Sequence, residues 1–94
     1  MITEKEFSQQ IVDAARTFGW KVYRTWRSIH SPAGYPDLTM VRRDRIVFAE
    51  LKSEKGKPPT DAQEEWLQVL REVGTCEVYL WRPKDFDEIM EILE

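Results

Sequence analysis

The sequence predicts an α/β fold in which a mixed sheet is flanked by helices, in the order α-β-β-β-α-β-α. Three segments place apolar residues at the three- and four-residue spacing of amphipathic helices, whereas four others are short and rich in β-branched and aromatic residues. Loops that contain glycine or proline separate these segments. The 94 residues are enough for one domain, spanning residues 1–94, with a thin core.

The first helix is predicted over residues 4–18. Thr3 and Glu6 have the spacing of a capping box, in which each side chain bonds the other residue's backbone N–H. Gly19 is suited to end the helix, because glycine accepts the left-handed conformation common at that position. One apolar stripe follows the helix: Phe7, Ile11, Ala14, Ala15 and Phe18.

Three strands are predicted next, over residues 20–27, 37–41 and 45–52. The second and third form a hairpin, because only a short turn at residues 42–45 separates them. In the first strand, alternation puts four residues on one face: Trp20, Val22, Arg24 and Trp26. The tryptophans of the chain are expected to lie mostly in the core.

The second helix is predicted to begin at Thr60, whose spacing to Gln63 again matches a capping box, and to end at Gly74. Its apolar face is predicted from five residues: Ala62, Trp66, Val69, Leu70 and Val73. A fourth strand over residues 76–81 and a last helix capped by Asp85 complete the chain. The stripe of that helix is Phe86, Ile89, Met90 and Leu93.

The charges are distributed unevenly along the chain. The net charge is −3, yet residues 20–57 contain nine basic and four acidic side chains, while the remainder contains five basic and thirteen acidic ones. A basic middle on an acidic scaffold can bind a polyanion. The alternative is an ordinary solvated β-surface.

The compartment is predicted from what the sequence lacks. The single cysteine, Cys76, excludes an intrachain disulfide and argues against a thiolate metal cluster. No apolar run approaches the roughly 20 residues of a membrane span, and the first ten residues have no signal-peptide core. We therefore expect a cytoplasmic protein with no membrane partner.

Asp37, Glu50 and Lys52 form the most informative group in the sequence. Glu50 and Lys52 are two residues apart in a strand, so both side chains leave the same face. A turn centred between residues 43 and 44 places Asp37 opposite Glu50, with Cβ atoms roughly 5 Å apart. Two carboxylates this close repel each other unless a cation lies between them, and a divalent ion with oxygen ligands fits. The alternative is three surface charges, with Lys52 paired to an acid.

The same residues carry a resemblance to a known family. Gly34, Pro36 and Asp37 followed by Glu50-Leu51-Lys52 resemble the PD-(D/E)xK nuclease superfamily, and more narrowly the VRR-NUC family. That family typically shows G-x-P-D, E-L-K, a glycine-lysine loop, and a helix with an early glutamine and a tryptophan. The last two features correspond here to Gly56, Lys57, Gln63 and Trp66. The resemblance covers essentially the whole chain and implies a restriction-endonuclease-like core.

The resemblance also implies roles for individual residues. Asp37 and Glu50 are expected to bind Mg²⁺ or Mn²⁺, together with the Leu51 carbonyl, while Lys52 positions the attacking water. Glu6 matches the helical glutamate that completes or supports the metal site, and Gln63 matches a residue beside the lysine. Both could instead be only capping-box residues.

Further residues are candidates for DNA contacts. Tyr35, beside Asp37 in a loop, is a candidate for touching the substrate. His30, the only histidine, is expected to contact DNA or to be an ordinary loop residue rather than a general base. The basic candidates are Arg24, Arg27, Arg42, Arg43, Arg45, Lys55 and Lys57. Those at residues 42–45 occupy the hairpin tip and could instead reach a second duplex arm or a partner subunit.

The predicted function is metal-dependent, structure-selective cleavage of DNA, with a homodimer that resolves Holliday junctions in a bacterial cell or a phage-infected host. Two-strand cutting needs two sites, which a two-fold dimer provides. Alternatives are a nuclease of flaps, duplex ends or RNA, a non-catalytic DNA-binding module of the same fold, and an interaction protein that uses its acidic C-terminal helix.

Overall fold

The chain forms a four-stranded mixed sheet in which the strands lie side by side in the order of the sequence. The computed structural model describes residues 1–26 and 32–94. Its elements are α1 (Glu4–Thr17), β1 (Lys21–Arg24), β2 (Leu38–Arg42), β3 (Arg45–Leu51), α2 (Asp61–Val73), β4 (Glu77–Trp81), a 3₁₀ turn (Pro83–Asp85) and α3 (Phe86–Leu93). The predicted α-β-β-β-α-β-α order is confirmed.

The hairpin register is the predicted one. In β2 and β3, Leu38 lies opposite Ala49 and Arg42 opposite Arg45. Arg43 takes the left-handed conformation at the turn, with φ of 55°. β3 and β4 are parallel, so α2 is the crossover between them. The register thus aligns the start of β2 with the end of β3, where Asp37 and Glu50 lie.

One face of the sheet forms the main core against α1 and α3. The strand residues on this face are Leu38, Met40, Val47, Ala49 and Leu51. The helices contribute Phe7, Ile11, Val12, Ala15, Ile89 and Leu93. Trp20 and Trp81 are also buried here, as expected for core tryptophans. The predicted stripe of α1 is largely confirmed, with Val12 buried in addition.

Among the residues that the structure describes, α2 alone covers the opposite face, and the predicted apolar face of this helix was partly wrong. Leu67, which the predicted apolar face omitted, is the fully buried residue of α2, whereas Val69 and Val73 are exposed. The helix contacts β4 and covers only part of the sheet, so its flank stays open. The expectation for Trp26 was also wrong, because β1 ends at Arg24 and the Trp26 side chain is 81% exposed.

The two predicted capping boxes form, but the predicted cap on the last helix does not. Asp85 precedes α3 without a side-chain capping bond to it, and its Oδ2 accepts from the Arg82 backbone N–H instead. Thr3 and Glu6 make a complete capping box on α1, and Thr60 and Gln63 make one on α2. Gly74 takes the left-handed conformation at the end of α2. Among the helices described, none is both long and apolar enough to cross a membrane.

Candidate active site

Asp37 and Glu50 meet where β2 begins and β3 ends. The carboxylate of Asp37 is bound by the backbone at the end of β3, because the Leu51 N–H donates to its Oδ2 at 2.8 Å. Its backbone carbonyl accepts from the Thr25 N–H at 2.9 Å, and the Thr25 hydroxyl donates to the carbonyl of the buried Pro36. Thr25 therefore fixes the backbone of residues 36 and 37, while the Leu51 N–H holds the Asp37 carboxylate at the end of β3.

Glu50 is a buried carboxyl, 2% exposed, on the face of β3 that α2 covers. The pKa of Glu50 is raised from its ordinary value of 4.5 to about 7, mainly by burial and then by the charge of the nearby Asp37 carboxylate, while Lys52 opposes the shift. Its Oε1 atom is buried without a hydrogen-bond partner among the residues described. Burying an unsatisfied carboxyl oxygen is costly, so this atom is expected to have a ligand in the working protein.

Gln63 joins Lys52 to Glu50. The Lys52 Nζ donates to Gln63 Oε1 at 2.9 Å, and Gln63 Nε2 donates to Glu50 Oε2 at 2.9 Å. Lys52 Nζ lies 3.7 Å from the same Glu50 oxygen. Gln63 Oε1 also accepts from the Thr60 backbone N–H at 2.9 Å. The two roles that the sequence left as alternatives for Gln63 are therefore both present, because a residue at the third position of α2 faces the end of β3.

Gly34 brings the loop before β2 against the start of α2. Its φ is +96°, and a Cβ atom at this position would lie 2.5 Å from the Ala62 carbonyl carbon and 2.8 Å from the Gln63 nitrogen. A side chain here would both strain the backbone and collide with the helix. The glycine of the G-x-P-D pattern thus permits the close approach that places Gln63 beside Glu50.

Glu6 does not reach this site. Its carboxylate accepts from the Thr3 backbone N–H at 3.1 Å, and hydrogen bonds from Thr3 lower the pKa of this exposed carboxyl. The structure brings Glu4 there instead, whose charge helps to raise the pKa of Glu50. Glu4 precedes Phe7 by three residues and Ile11 by seven, so it continues the buried stripe, whereas Glu6 points away from it. Glu4 was missed by the sequence analysis, and this spacing is the signal by which it could have been found.

A cavity of about 250 Å³ opens between α1 and the end of β3. Its lining is Glu4, Lys5, Ser8, Thr25, Asp37 and Leu51. Residues 1–26 and 32–94 contain no group of three His, Cys, Asp or Glu side chains already gathered around one point. The oxygens of Asp37 and Glu50, with the unpartnered Glu50 Oε1, nevertheless form a donor set that fits a hard divalent cation.

The loop between β3 and α2 carries two of the predicted DNA contacts. Lys55 and Lys57 are exposed and follow Lys52 directly. Arg82, which sequence reasoning missed, supports this loop: its Nη1 donates to the Ser53 carbonyl at 2.6 Å and to the Gly56 carbonyl at 3.4 Å. The two lysines are therefore presented from an anchored loop next to the site.

Other predicted DNA contacts lie elsewhere. Arg45 forms a two-bond pair with Glu77, at 2.7 Å for each bond. Arg42 donates to the carbonyls of Phe18 and Leu93 at 2.9 Å, and both guanidinium groups lie against the Trp20 ring. Intramolecular partners occupy these two arginines, so we leave them out of the proposed DNA surface.

The remaining candidates are dispersed. Arg24 is exposed and donates to Gln9 of α1 at 2.8 Å. Arg43 is exposed at the hairpin turn, remote from Asp37. Tyr35 packs edge-on between Phe48 and Trp66, with ring centroids 6.3 and 4.9 Å away, which makes it a packing residue as well as a neighbour of Asp37. The predictions for Arg27 and His30 fall outside the described residues.

Comparison with solved structures identifies similar folds. A VRR_NUC domain is 25% identical with a TM-score of 0.75, covering 96% of this chain and 97% of the other. A VRR_NUC domain protein is 19% identical with a TM-score of 0.74, covering 99% and 86%. Hjc, a Holliday junction resolvase from the archaeal hyperthermophile Archaeoglobus fulgidus, is 21% identical with a TM-score of 0.60, covering 82% and 66%. No protein-family model and no curated protein matches the sequence.

Proposed function

We propose that this chain, whose resemblance to the VRR-NUC family is confirmed at the level of the fold, is a metal-dependent nuclease. One observation carries the proposal: the buried Glu50 carboxyl, opposite Asp37 and linked through Gln63 to Lys52. A structural hairpin has no need of a buried acid with an unpartnered oxygen, and perturbed carboxyls of this kind are concentrated at functional sites.

Asp37 and Glu50 hold Mg²⁺ or Mn²⁺ in this proposal, with Glu4 and the Leu51 carbonyl as further oxygen donors. When bound, the ion polarises a phosphate oxygen and lowers the pKa of a water molecule. The bond from Leu51 N–H to Oδ2 of Asp37 leaves Oδ1 for this role, and Glu50 contributes Oε1. The two carboxylates thus present one oxygen each from adjacent strand ends.

Lys52 orients the attacking water and stabilises negative charge on the phosphate. The ammonium group has three donors, and Gln63 takes one of them, so two remain for water and substrate. Because Gln63 also bonds Glu50, it fixes the position of the ammonium relative to the carboxylate. Lys55 and Lys57 bind the flanking phosphates, with an affinity that falls as salt is raised.

The substrate that we propose is branched DNA, cut by a homodimer as at a Holliday junction. The fold similarity to Hjc, a Holliday junction resolvase, favours this substrate over a plain duplex. Within the described parts of the chain, no added helix or domain is available to read base edges, which favours recognition of DNA shape. The alternatives are cleavage of flaps, duplex ends or RNA, and binding without cleavage.

The test is cleavage of labelled four-way junction, flap, duplex and single-stranded RNA substrates with Mg²⁺, Mn²⁺ or EDTA. Wild type is compared with Asp37→Asn, Glu50→Gln and Lys52→Ala, each checked for folding. Symmetric junction cutting that requires metal and all three side chains is the expected result. Cutting of flaps, duplex or RNA alone would retain the nuclease and reject the resolvase. Substrate binding without metal-dependent cleavage would reject both.

A further inference from the structure

Trp26 is the most exposed tryptophan of the chain, with 81% of its side chain accessible to solvent. Trp20 and Trp81 are buried, and Trp66 is half-buried against Tyr35. An indole carries a large apolar surface, and leaving it in water forgoes the stabilisation that burial brings. Packing within the described parts of the chain therefore does not account for a tryptophan at position 26.

The backbone before Trp26 is anchored to the strand end that carries the candidate active site. The Thr25 N–H donates to the Asp37 carbonyl at 2.9 Å, and the Thr25 hydroxyl donates to the Pro36 carbonyl. Thr25 also lines the cavity together with Asp37. Because the next Cα atom is only about 3.8 Å further along the chain, the Trp26 side chain begins at the edge of this cavity.

The face of the sheet on which Trp26 lies is set by Arg24. The Arg24 guanidinium donates to the Gln9 side chain of α1 at 2.8 Å, so it lies on the face that α1 covers. The bond from the Thr25 N–H to Asp37 continues the pairing of β1 with β2 by one residue. In such an extended chain a residue two positions on leaves the same face, which places Trp26 on the side of α1.

The opposite directions of α1 and β1 bring Trp26 toward the first turns of the helix. At the start of the strand, the Trp20 N–H donates to the Ala15 carbonyl at 2.9 Å, whereas Arg24 bonds a helix residue six positions earlier than Ala15. The chain beyond Arg24 therefore approaches the turn of Lys5, which is exposed and lines the cavity. Two exposed cationic side chains, Arg24 and Lys5, thus accompany Trp26 on this side of the cavity.

Trp26 and the lysine loop lie on opposite flanks of Asp37. β2 is between β1 and β3 in the sheet, and Asp37 directly precedes β2. Trp26 follows β1 on one flank, and the loop of Lys55 and Lys57 follows β3 on the other. Neighbouring strands are about 4.8 Å apart, so a nucleic-acid strand laid over Asp37 reaches both flanks within a few nucleotides.

We propose that Trp26 is a stacking platform for one unpaired base of the substrate strand beside the metal site, with Lys5 and Arg24 binding the neighbouring phosphates. Aromatic rings set among cations are the means by which proteins bind single-stranded nucleic acid, because every base has a face that stacks. A base inside a duplex is already stacked on both faces. The substrate class is therefore DNA with an unpaired or splayed nucleotide next to the cut, as at a branch. This inference rests on the proposed function in taking DNA as the substrate.

The test is DNA binding in EDTA, where cleavage plays no part. 2-Aminopurine, a base whose fluorescence falls on stacking, is placed in turn at the positions around the branch of a flap and a four-way junction. Wild type is expected to quench it at one position. Trp26→Ala should abolish the quenching and weaken binding by about tenfold to a hundredfold, which is typical of losing one stacked base. A fully paired duplex should bind Trp26→Ala and wild type equally.

Two further variants separate stacking from a structural role. Trp26→Phe keeps an aromatic ring and should restore most of the quenching and affinity. Phe86→Ala removes an exposed aromatic side chain of α3, which follows β4 at the opposite edge of the sheet from β1, and should change neither. Thermal melts establish that each variant is folded.

The phosphate contacts are tested by the salt dependence of binding to the same branched DNA. Lys5→Ala should reduce the salt slope by about one charge. The matched control is Lys21→Ala, an exposed lysine at the other end of β1, which should leave the slope unchanged. A Lys5→Ala slope equal to that of wild type would overturn the placement of the strand on this side of the cavity.

Several results would overturn the platform itself. Folded Trp26→Ala that binds branched DNA as wild type does would do so, as would an equal loss of affinity for the paired duplex. Failure of Trp26→Phe to restore quenching would exclude stacking. A changed mass in solution with unaltered DNA binding would assign Trp26 to a protein interface instead. Quenching at Trp26 without metal-dependent cleavage would reject the proposed nuclease alone, and full cleavage by Trp26→Ala with unaltered binding would reject the platform alone.

Discussion

Gln63 donates a hydrogen bond to Glu50 at 2.9 Å while the same side chain caps its own helix. The start of α2 and the end of β3 are thereby connected through one amide group, which also accepts from Lys52. The capping of α2 and the position of the Lys52 ammonium group therefore both depend on the Gln63 side chain.

Gln63→Ala is expected to lower cleavage by on the order of tenfold to a hundredfold, because removing a residue that orients an active-site group has effects of this size. It should also cost about 1 kcal/mol of stability through the lost cap. Gln63→Glu keeps the acceptor for Thr60 and Lys52 but removes the donor to Glu50. We therefore expect Gln63→Glu to cleave more slowly than wild type. Cleavage at the wild-type rate would show that Gln63 acts only through Lys52 and that its bond to Glu50 has no part in the reaction. Rates with saturating Mg²⁺ and thermal melts separate the two effects.

Glu4→Gln and Glu6→Gln should differ, although the residues are two apart on the same helix. Glu4 lines the cavity with Asp37, so its neutralisation should raise the Mg²⁺ concentration needed for cleavage by roughly tenfold. Glu6 caps α1, and a glutamine still accepts that bond, so its cleavage should match wild type. A Mg²⁺ titration of the cleavage rate makes the comparison, and a Glu6→Gln enzyme with the altered requirement would return the site role to Glu6.

Gly34→Ala and Gly74→Ala separate backbone strain from close packing, since both glycines have positive φ. A Cβ at Gly74 meets nothing within 4 Å, so alanine there should cost only about 1 kcal/mol and leave cleavage intact. At Gly34 the added atom meets the Ala62 backbone at 2.5 Å. This substitution should cost roughly 1–3 kcal/mol and reduce cleavage as well, because α2 must move away with Gln63. Equal cleavage by the two folded variants would show that this approach has no part in the site.

The stability of the metal-free protein should fall as pH rises from about 4.5 to about 7. The pKa of Glu50 is raised from 4.5 to about 7 in the folded protein, so the folded state holds the proton more tightly than the unfolded state. The resulting stabilisation is fully present below the unfolded pKa of 4.5 and is lost as pH rises through the folded pKa.

Glu50→Gln removes this dependence and should stabilise the metal-free protein at pH 8 by on the order of 3 kcal/mol relative to wild type, since one pKa unit corresponds to about 1.4 kcal/mol. Denaturant unfolding in EDTA at pH 5 and pH 8 measures the difference. The exposed Glu91→Gln serves as the control, with no change expected. A Glu50→Gln protein that parallels wild type at both pH values contradicts the raised pKa.

Lys57→Ala and Arg45→Ala should each lower a different quantity, DNA affinity for Lys57→Ala and folding stability for Arg45→Ala. Lys57 is exposed beside the site, so its removal should reduce the salt slope of DNA binding by about one charge. Arg45 is paired with Glu77, so its removal should lower stability and leave the salt slope unchanged. Binding isotherms at several salt concentrations provide the slopes, and a reduced slope for Arg45→Ala would place the hairpin tip on the DNA.

The sequence by itself determined the element order, the two capping boxes and the hairpin register that sets Asp37 opposite Glu50. These features are local, because they follow from the period of a strand, the length of one turn and the three-residue spacing of a cap. Lys52 could be placed on the face of Glu50 for the same reason.

Only the tertiary structure decided which residues lie beside Asp37 and Glu50. Glu4 rather than Glu6 lines the cavity with Asp37. Gln63 caps α2 and also bonds Lys52 and Glu50. Arg45 pairs with Glu77, which is 32 residues away in the sequence. The tertiary structure also left Val73 exposed on α2. The outcomes on the helices depend on how each helix is rotated on the sheet, and the Arg45–Glu77 pair depends on the pairing of β3 with β4. Both are set by contacts between residues distant in sequence and not by the periodicity within any one element.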